Sequence, residues 1–276
     1  MPRISFQDVI NQLDHVDDPD VLEKVKGNLP LRLALDMSRP VNWRGTGIRP
    51  EAILAVATES GIPVAWVPPP SILRMLVSAV PEDRMVILRA HTADVVAQCD
   101  ELLEECRDGW LHDDRVLVGR AIYAFKAGHH EAAMALAVAV GEPLALWASQ
   151  ERLRIFDSEA EKLAWEKQHK VGKYDLARIE LAAVGTGQQR KRVEVLRHAL
   201  IAPIPKFFTP FHARPGEVIP DTVSRHVTVH RPTVAHLTHD NALLAIMLCI
   251  SILREMQASR EEIRDEEDLA YWLAQE

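Results

Sequence analysis

The sequence predicts a mostly α-helical protein, and three observations support this class. Aliphatic side chains supply most of the 47% hydrophobic content, whereas aromatic residues make up only 5%. A β-sandwich or β-barrel would be richer in aromatic and β-branched residues. Glycine and proline divide the chain into segments of helical length. The apolar run from Asn241 to Met256 has the length and composition of a buried core helix.

Residues 1–110 are expected to form a smaller, mainly helical N-terminal region with one or two short strands. Helices are predicted at 18–27, 50–60 and 71–80, each bounded by proline, glycine or both. The apolar segments 62–67 and 86–88 are the strand candidates. Pro63 restricts the first of them to an edge strand or an extended link.

Residues 111–276 are expected to form a helical bundle, and the helical pattern begins shortly before them. Cys99 and Cys106 lie seven residues apart on the first of these helices, which is the spacing of core residues. Gly128 separates the second helix from the third. The helices are predicted at 92–107, 113–127, 129–140, 149–184 (one or two helices) and 188–201.

The last third of the chain combines a proline-rich loop with the apolar run. The loop 203–220 carries Phe207, Phe208 and Phe211, of which at least two are expected in the core. Thr238 is expected to cap the helix of the apolar run. The capping-box pattern at Ser259 and Glu262 predicts a further short, acidic helix at the end of the chain.

Composition excludes several classes of function. The three cysteines are an odd number and form no C-x-x-C pair, which argues against a disulfide framework and a structural zinc site. No signal peptide and no apolar run able to span a bilayer is apparent, so a cytoplasmic protein without membrane contact is expected. The chain has no phosphate-binding or dinucleotide-binding glycine motif, so no ATP or NAD dependence is expected.

The charge is distributed unevenly along the chain. The net charge is −8, with −7 in residues 1–149 (14 Lys+Arg, 21 Asp+Glu), +5 in 150–232 (15 and 10) and −6 in 233–276 (3 and 9). The net-positive section could attract a polyanion although the whole protein is acidic. A solvated basic helix face is the alternative interpretation.

Functional side chains are concentrated just before the apolar run. Arg225, His226 and His230 lie within six consecutive residues of the net-positive section. Histidine suits proton transfer near neutral pH, and arginine suits the oxygens of a phosphate. The three residues could therefore supply the base, the acid and the cation that RNA cleavage without a metal requires.

Arg225 and His230 are separated by four residues, and the polar His226 directly follows the arginine. This hexapeptide, with a long apolar helix behind it, resembles the R-x4–6-H motif of the HEPN superfamily over roughly residues 110–258. The resemblance implies a helical bundle of HEPN type and a metal-independent endoribonuclease that needs no cofactor and cleaves RNA by attack of the 2′-hydroxyl. It further implies a cytoplasmic toxin or phage-defence effector with a neutralising protein partner.

The resemblance also assigns roles to individual residues. His230 would be the catalytic histidine, Arg225 the phosphate-binding arginine and His226 a supporting residue. Family members usually place two copies of the motif across a homodimer interface, so that one composite cleft receives RNA. The residues expected to bind substrate around the motif are Arg190, Lys191, Arg192, Arg231 and Asn241.

Two features of the motif leave other interpretations open. Positions five apart on a helix point about 140° away from each other, so Arg225 and His230 meet only if the arginine wraps round or the helix begins within the motif. The interior Val-Thr-Val is β-branched and does not favour a helix.

Two alternatives to catalysis by Arg225 and His230 follow. In the first, His226 and His230 bind a metal together with His236 and His239. In the second, the arginine and histidines are structural, and the domain is a non-catalytic module that binds a protein or a nucleotide.

Overall fold

The computed structural model describes residues 40–151, 199–208, 211 and 218–273. Of these residues 71% are helical and none lies in a strand, which confirms the mostly α class. The helix predicted at 18–27, and almost all of those predicted at 149–184 and 188–201, lie outside the described residues. The described α-helices are α1 (Pro50–Ser60), α2 (Pro70–Ser78), α3 (Arg84–Ala90), α4 (Thr92–Glu105), α5 (His112–Lys126), α6 (His130–Glu151), α7 (Ile204–Phe207), α8 (Arg225–His230) and α9 (His239–Leu273).

The chain divides into two compact units, each built from two separate stretches of sequence. The first unit comprises 1–87 and 146–205, and the second comprises 88–145 and 206–276. The boundary predicted at residue 110 lies inside the second unit, between the packed helices α4 and α5. The candidate motif belongs to the second unit.

In the first unit, α1 packs against α2. Helix α1 buries Ile53, Val56 and Ala57, which recur at helical spacing on one face. It ends at Gly61, whose φ of 69° is the left-handed conformation that glycine adopts without strain, and the amide of Gly61 donates to the carbonyl of Ala57. The predicted helix 50–60 and its glycine stop are therefore confirmed.

The first strand candidate, 62–67, is buried but pairs with no strand among the described residues. Side chains instead bind one carbonyl of this segment and one that follows it. Asn42 Nδ2 donates to the carbonyls of Val64 (3.0 Å) and Pro68 (3.1 Å), and Trp43 Nε1 donates to Val64 O (2.8 Å). Buried carbonyls need partners, and these two side chains supply them without a neighbouring strand.

The second strand candidate, 86–88, is wrong because these residues lie in helix α3. A 3₁₀ turn at Pro81–Asp83 leads directly into this helix. The side chain of Arg84 anchors the start: it donates to Leu76 O (3.1 Å), to Glu59 (2.9 Å) and to Ser60 (2.8 Å). A run of three apolar residues was too short to reveal a helical period.

The core of the second unit forms where α9 packs against α4 and α5. Every residue of α9 from Asn241 to Leu253 is buried, so the core helix predicted from the apolar run is confirmed. Thr238 Oγ1 accepts from the amide of Asn241 at 3.3 Å, which confirms the predicted cap. Cys99 and Cys106 are buried, as their spacing predicted.

The separate final helix predicted to start at Ser259 is wrong, because α9 continues without a break to Leu273. Inside this helix the hydroxyl of Ser259 donates to the carbonyl of Glu255 at 2.8 Å. A serine followed by a glutamate three residues later is therefore no helix start here. The preceding turn is already helical, and the hydroxyl bonds back to it.

Helices α5 and α6 are separated at Gly128, as predicted, and the φ of this glycine is 82°. Two described helices, His130–Ala148 in α6 and His239–Glu261 in α9, have the length and apolar composition of a membrane span, contrary to expectation. In α9, 83% of the apolar window is buried inside the protein, compared with 50% in α6. Burial of this kind is typical of a core helix, which passes the same test of length and composition.

The loop predicted at 203–220 is wrong at its start, because Ile204–Phe207 form helix α7. Phe207, at the end of α7, and Phe211 are buried, which confirms the expectation that at least two of the three phenylalanines join the core. The third, Phe208, is partly exposed.

Candidate functional site

The candidate motif forms the short helix α8, which begins at Arg225. Ser224 precedes it in an extended conformation, and its Oγ accepts from the amide of Val227 at 3.4 Å. The hydroxyl of Thr228 donates to the carbonyl of Ser224 at 2.8 Å. Val227 and Thr228 are buried. Capping and burial together override the weak helix propensity of the Val-Thr-Val interior.

Arg225 and His230 converge at the surface of this helix. Arg225 Nη1 lies 3.1 Å from His230 Nε2. The helix begins at Arg225, and the long side chain spans the angle that separates the two positions on the helix. A guanidinium only donates hydrogen bonds, so Nε2 of His230 is the acceptor and carries no proton in this arrangement. An unprotonated ring nitrogen beside a permanent cation is a suitable pair for base catalysis at a phosphate.

His226 belongs to the same cluster. Its ring centroid lies 4.8 Å from that of His230, with 55° between the ring planes. His226 is partly exposed and His230 is exposed. The structure therefore brings together the three residues predicted from the hexapeptide and leaves the two imidazoles accessible.

A fourth residue of the cluster, Glu142 of α6, did not emerge from the sequence. Its Oε2 accepts from Arg225 Nε at 2.9 Å and from Arg225 Nη2 at 2.8 Å. The two side chains are 25% and 28% exposed. One signal could have found it: Glu142 is the only charged residue between 132 and 149, and a lone charge in an apolar helix usually has a partner.

The stem of Arg225 borders a small apolar hollow. The space available inside it is about 10 Å³, which is room for about one water molecule and far less than a nucleobase needs. Its other lining residues are Ala137, Val138, Gly141, Phe207, Phe208, Ala245 and Leu248. An arginine can pack its aliphatic stem on such an apolar wall while its charged end stays at the surface.

Asn241, in the first turn of α9, is 3% exposed. Its Nδ2 donates to the carbonyls of Asp221 (3.1 Å) and His236 (2.9 Å). Both donor hydrogens of the amide are therefore used inside the protein. The amide ties the segments before and after α8 to the start of α9. Its predicted contact with substrate stays a prediction.

His236 gives α8 a second support. It is fully buried, with Nδ1 3.0 Å from Pro220 O and Nε2 3.3 Å from Ser224 O. These contacts direct its ring toward the backbone that precedes α8. His236 therefore does not join His226 and His230 as the metal interpretation requires. Within the described ranges no three His, Cys, Asp or Glu side chains form a group that could hold a metal ion.

The basic residues predicted to bind substrate are only partly covered. Arg231 directly follows α8 and is exposed, which would allow contact with a polyanion. Arg190, Lys191 and Arg192 lie outside the described residues. Their predicted role stays a prediction.

A second histidine cluster lies where α5 ends and α6 and α9 begin. The rings of Phe125, His130 and His239 are in mutual contact, each pair with centroids 5.0 Å apart. Burial, and to a smaller extent His239, hold the pKa of His130 below its usual value. Glu142 lies twelve residues beyond His130 on α6, about 18 Å along an ideal helix, so this cluster is separate from the Arg225 site.

His239 is held by polar partners at both ring nitrogens. Its Nδ1 lies 2.9 Å from Asp240 Oδ1, and its Nε2 lies 3.5 Å from the hydroxyl of Thr92. Arg89 donates to the same carboxylate, and this hydrogen bond is the largest cause that lowers the pKa of Asp240. These contacts hold His239 in a separate cluster. His239 therefore does not join His226 and His230 as the metal interpretation requires.

Comparison of the chain with protein-family models, with curated proteins and with solved structures gives no significant match.

Proposed function

We propose that the protein is a metal-independent endoribonuclease of HEPN type. The observation that supports this best is the convergence of Arg225 and His230, whose Nη1 and Nε2 are 3.1 Å apart on an accessible, capped helix. A cation and an unprotonated imidazole at this distance can act on the same phosphodiester and its neighbouring 2′-hydroxyl.

The reaction needs two proton transfers and one stabilising charge. Nε2 of His230 takes the proton of the 2′-hydroxyl, whose oxygen forms a bond to the adjacent phosphorus. The bond from phosphorus to the 5′-oxygen breaks, leaving a 2′,3′-cyclic phosphate, and the 5′-oxygen takes up a proton. In a homodimer the protonated His230 of a second copy would donate it. Arg225 stabilises the charge that builds up on the phosphate oxygens, and His226 supports the ring of His230.

The wider biological setting is part of the same proposal. The enzyme would act in the cytoplasm as a homodimer, in a toxin or phage-defence role, and a protein partner would neutralise it. The exposed Arg231 would contribute to RNA attraction. The HEPN resemblance of the hexapeptide is the basis for these assignments.

One observation favours a second candidate function, a non-catalytic module that binds a protein or a nucleotide. Two N–H groups of Arg225 are bound to Glu142 at 2.8 and 2.9 Å. An arginine used in this way fastens α8 to α6, and the same contacts would serve a purely structural motif. In that case the histidines would shape a binding surface and transfer no proton.

The two candidates differ in what purified protein does to RNA. Total RNA and a short labelled oligoribonucleotide are incubated with wild type in EDTA. Cleavage that leaves cyclic phosphate ends, and that falls by at least about 10²-fold in His230→Ala, supports the endoribonuclease. The matched control is His112→Ala, because His112 is an exposed histidine of the same unit. This variant should cleave RNA like wild type.

Other outcomes of the same assay would contradict the ribonuclease proposal or support a different mechanism. Wild type that leaves RNA intact, or His230→Ala that cleaves like wild type, contradicts the proposal. Cleavage that EDTA abolishes supports a metal-dependent mechanism instead. An oligonucleotide with a 2′-deoxy group at the cleaved position must resist the enzyme, because it lacks the attacking hydroxyl.

A further inference from the structure

We infer that Glu142 is a positioning residue of the Arg225–His230 site. It holds the arginine so that the third nitrogen of the guanidinium faces the catalytic histidine. The inference rests on the proposed function, since it adds a member to the same site. It also makes a claim about the resting enzyme that can be measured without RNA.

The geometry follows from the planar guanidinium group. Nε and Nη2 of Arg225 both bind one oxygen of Glu142, at 2.9 and 2.8 Å. A planar group held at two of its nitrogens cannot turn freely. The remaining nitrogen, Nη1, is thereby directed to Nε2 of His230 at 3.1 Å. The carboxylate sets the direction in which the arginine points.

Glu142 lies on α6, a helix of 22 residues that continues through Pro143. The apolar wall around it includes Ala137, which accepts a hydrogen bond from the buried thiol of Cys249 in α9 at 3.2 Å. Helix α8 has only six residues and has little rigidity of its own. Through its contact with Arg225, Glu142 therefore fixes the short helix α8 to the long helix α6.

The position of Nη1 determines which ring nitrogen of His230 carries the proton. With Nη1 donating to Nε2, the single proton of the neutral imidazole must be on Nδ1. In water the Nε2–H form is the commoner one. Glu142 therefore keeps His230, through Arg225, in the form whose free electron pair faces the phosphate-binding cation. When the phosphate takes over the contact with Nη1, this electron pair becomes free to accept the proton of a 2′-hydroxyl.

The first test measures the tautomer of His230 by ¹⁵N NMR of the imidazole in the full chain, without RNA. Wild type should show the Nδ1–H form when His230 is neutral. Glu142→Ala should shift the ring toward the Nε2–H form. Glu142→Gln keeps an acceptor oxygen and should retain the Nδ1–H form. The control is Glu101→Ala, at an exposed glutamate of α4, which should match wild type.

Arg225→Met is the second variant, and it covers the case in which Glu142→Ala fails to fold. Methionine keeps an unbranched apolar stem but has no N–H group to donate to His230. The Nδ1–H form should therefore be lost. An Nδ1–H tautomer that persists in Arg225→Met or in Glu142→Ala overturns the inference, and so does a wild type that is already in the Nε2–H form.

The second test is kinetic and separates positioning from simple structural support. Glu142→Ala should lower kcat by about 10²-fold, which is the cost of a catalytic group displaced by about 1 Å, while KM changes little. Glu142→Gln should restore most of kcat. A gain in activity or RNA affinity in Glu142→Ala would identify Glu142 as a competitor of the phosphate, which contradicts a positioning role.

The two proposals can fail separately. If the tautomer responds as expected but wild type leaves RNA intact, the positioning role stands and the ribonuclease proposal fails. If wild type cleaves RNA and Glu142→Ala leaves both tautomer and kcat unchanged, the ribonuclease proposal stands and the role of Glu142 is refuted.

Discussion

Replacing Asn241 with alanine should destabilise the protein strongly, although the residue lies beside a candidate binding site. Its amide donates to Asp221 O at 3.1 Å and to His236 O at 2.9 Å. The carbonyl of Asp221 belongs to an exposed residue and can bind water in the variant, so this loss is worth about 1 kcal/mol. The bond to His236 is buried, and an unsatisfied buried carbonyl costs about 1–3 kcal/mol.

The free energy of unfolding should therefore fall by about 2–4 kcal/mol, the sum of the two contributions. At roughly 2–4 °C per kcal/mol for a chain of this size, the melting temperature should fall by about 4–16 °C. Urea denaturation followed by far-ultraviolet circular dichroism measures the first quantity, and a thermal melt measures the second. The control is Glu101→Ala, an exposed helix position, for which a change within about 0.5 kcal/mol is expected.

A second substitution separates hydrogen bonding from packing at the same position. Asn241→Asp keeps the shape but places an oxygen where Nδ2 faces two carbonyls, so it should destabilise at least as much as alanine. A loss below about 0.5 kcal/mol in both variants would refute the structural role, because the two hydrogen bonds would then contribute nothing. RNA binding lost without any loss of stability would support the predicted contact with substrate instead.

Two further predictions concern groups outside the motif. Burial raises the pKa of the thiols of Cys99, Cys106 and Cys249 to about 12. A thiol reagent near neutral pH should therefore label none of these buried cysteines until denaturant unfolds the chain. Rapid labelling of the native protein would contradict their burial. The hydrogen bond from Arg89 holds the pKa of Asp240 below its ordinary value. The ionised Asp240 therefore contributes its full stabilisation at pH values above the pKa of the unfolded chain, about 3.9. This stabilisation is lost as the pH falls through the lower pKa of the folded protein. Asp240→Asn should therefore reduce stability at neutral pH and flatten its decrease in acid, as measured by urea unfolding at a series of pH values; an unchanged pH profile would show that the Arg89 contact does not form in solution.

The elements that local signals specify were predicted well. The glycine stops at Gly61 and Gly128, the cap at Thr238 and the apolar run of α9 depend on neighbouring residues, so the sequence shows them directly. The core position of Cys99 and Cys106 followed from spacing alone. The errors occurred where a local pattern was ambiguous: a three-residue apolar run at 86–88 became helix, and Ser259 lay inside a helix that had already begun.

The sequence by itself determined the mostly helical class, the core helix and the hexapeptide that contains Arg225 and His230. Only the tertiary structure decided that the hexapeptide is a helix, because burial of Val227 and the Ser224 cap outweigh β-branched propensity. Only the tertiary structure showed that Glu142 binds Arg225, which lies 83 residues later in the chain. A contact between residues so far apart depends on how α6 and α8 pack, and no local pattern records it.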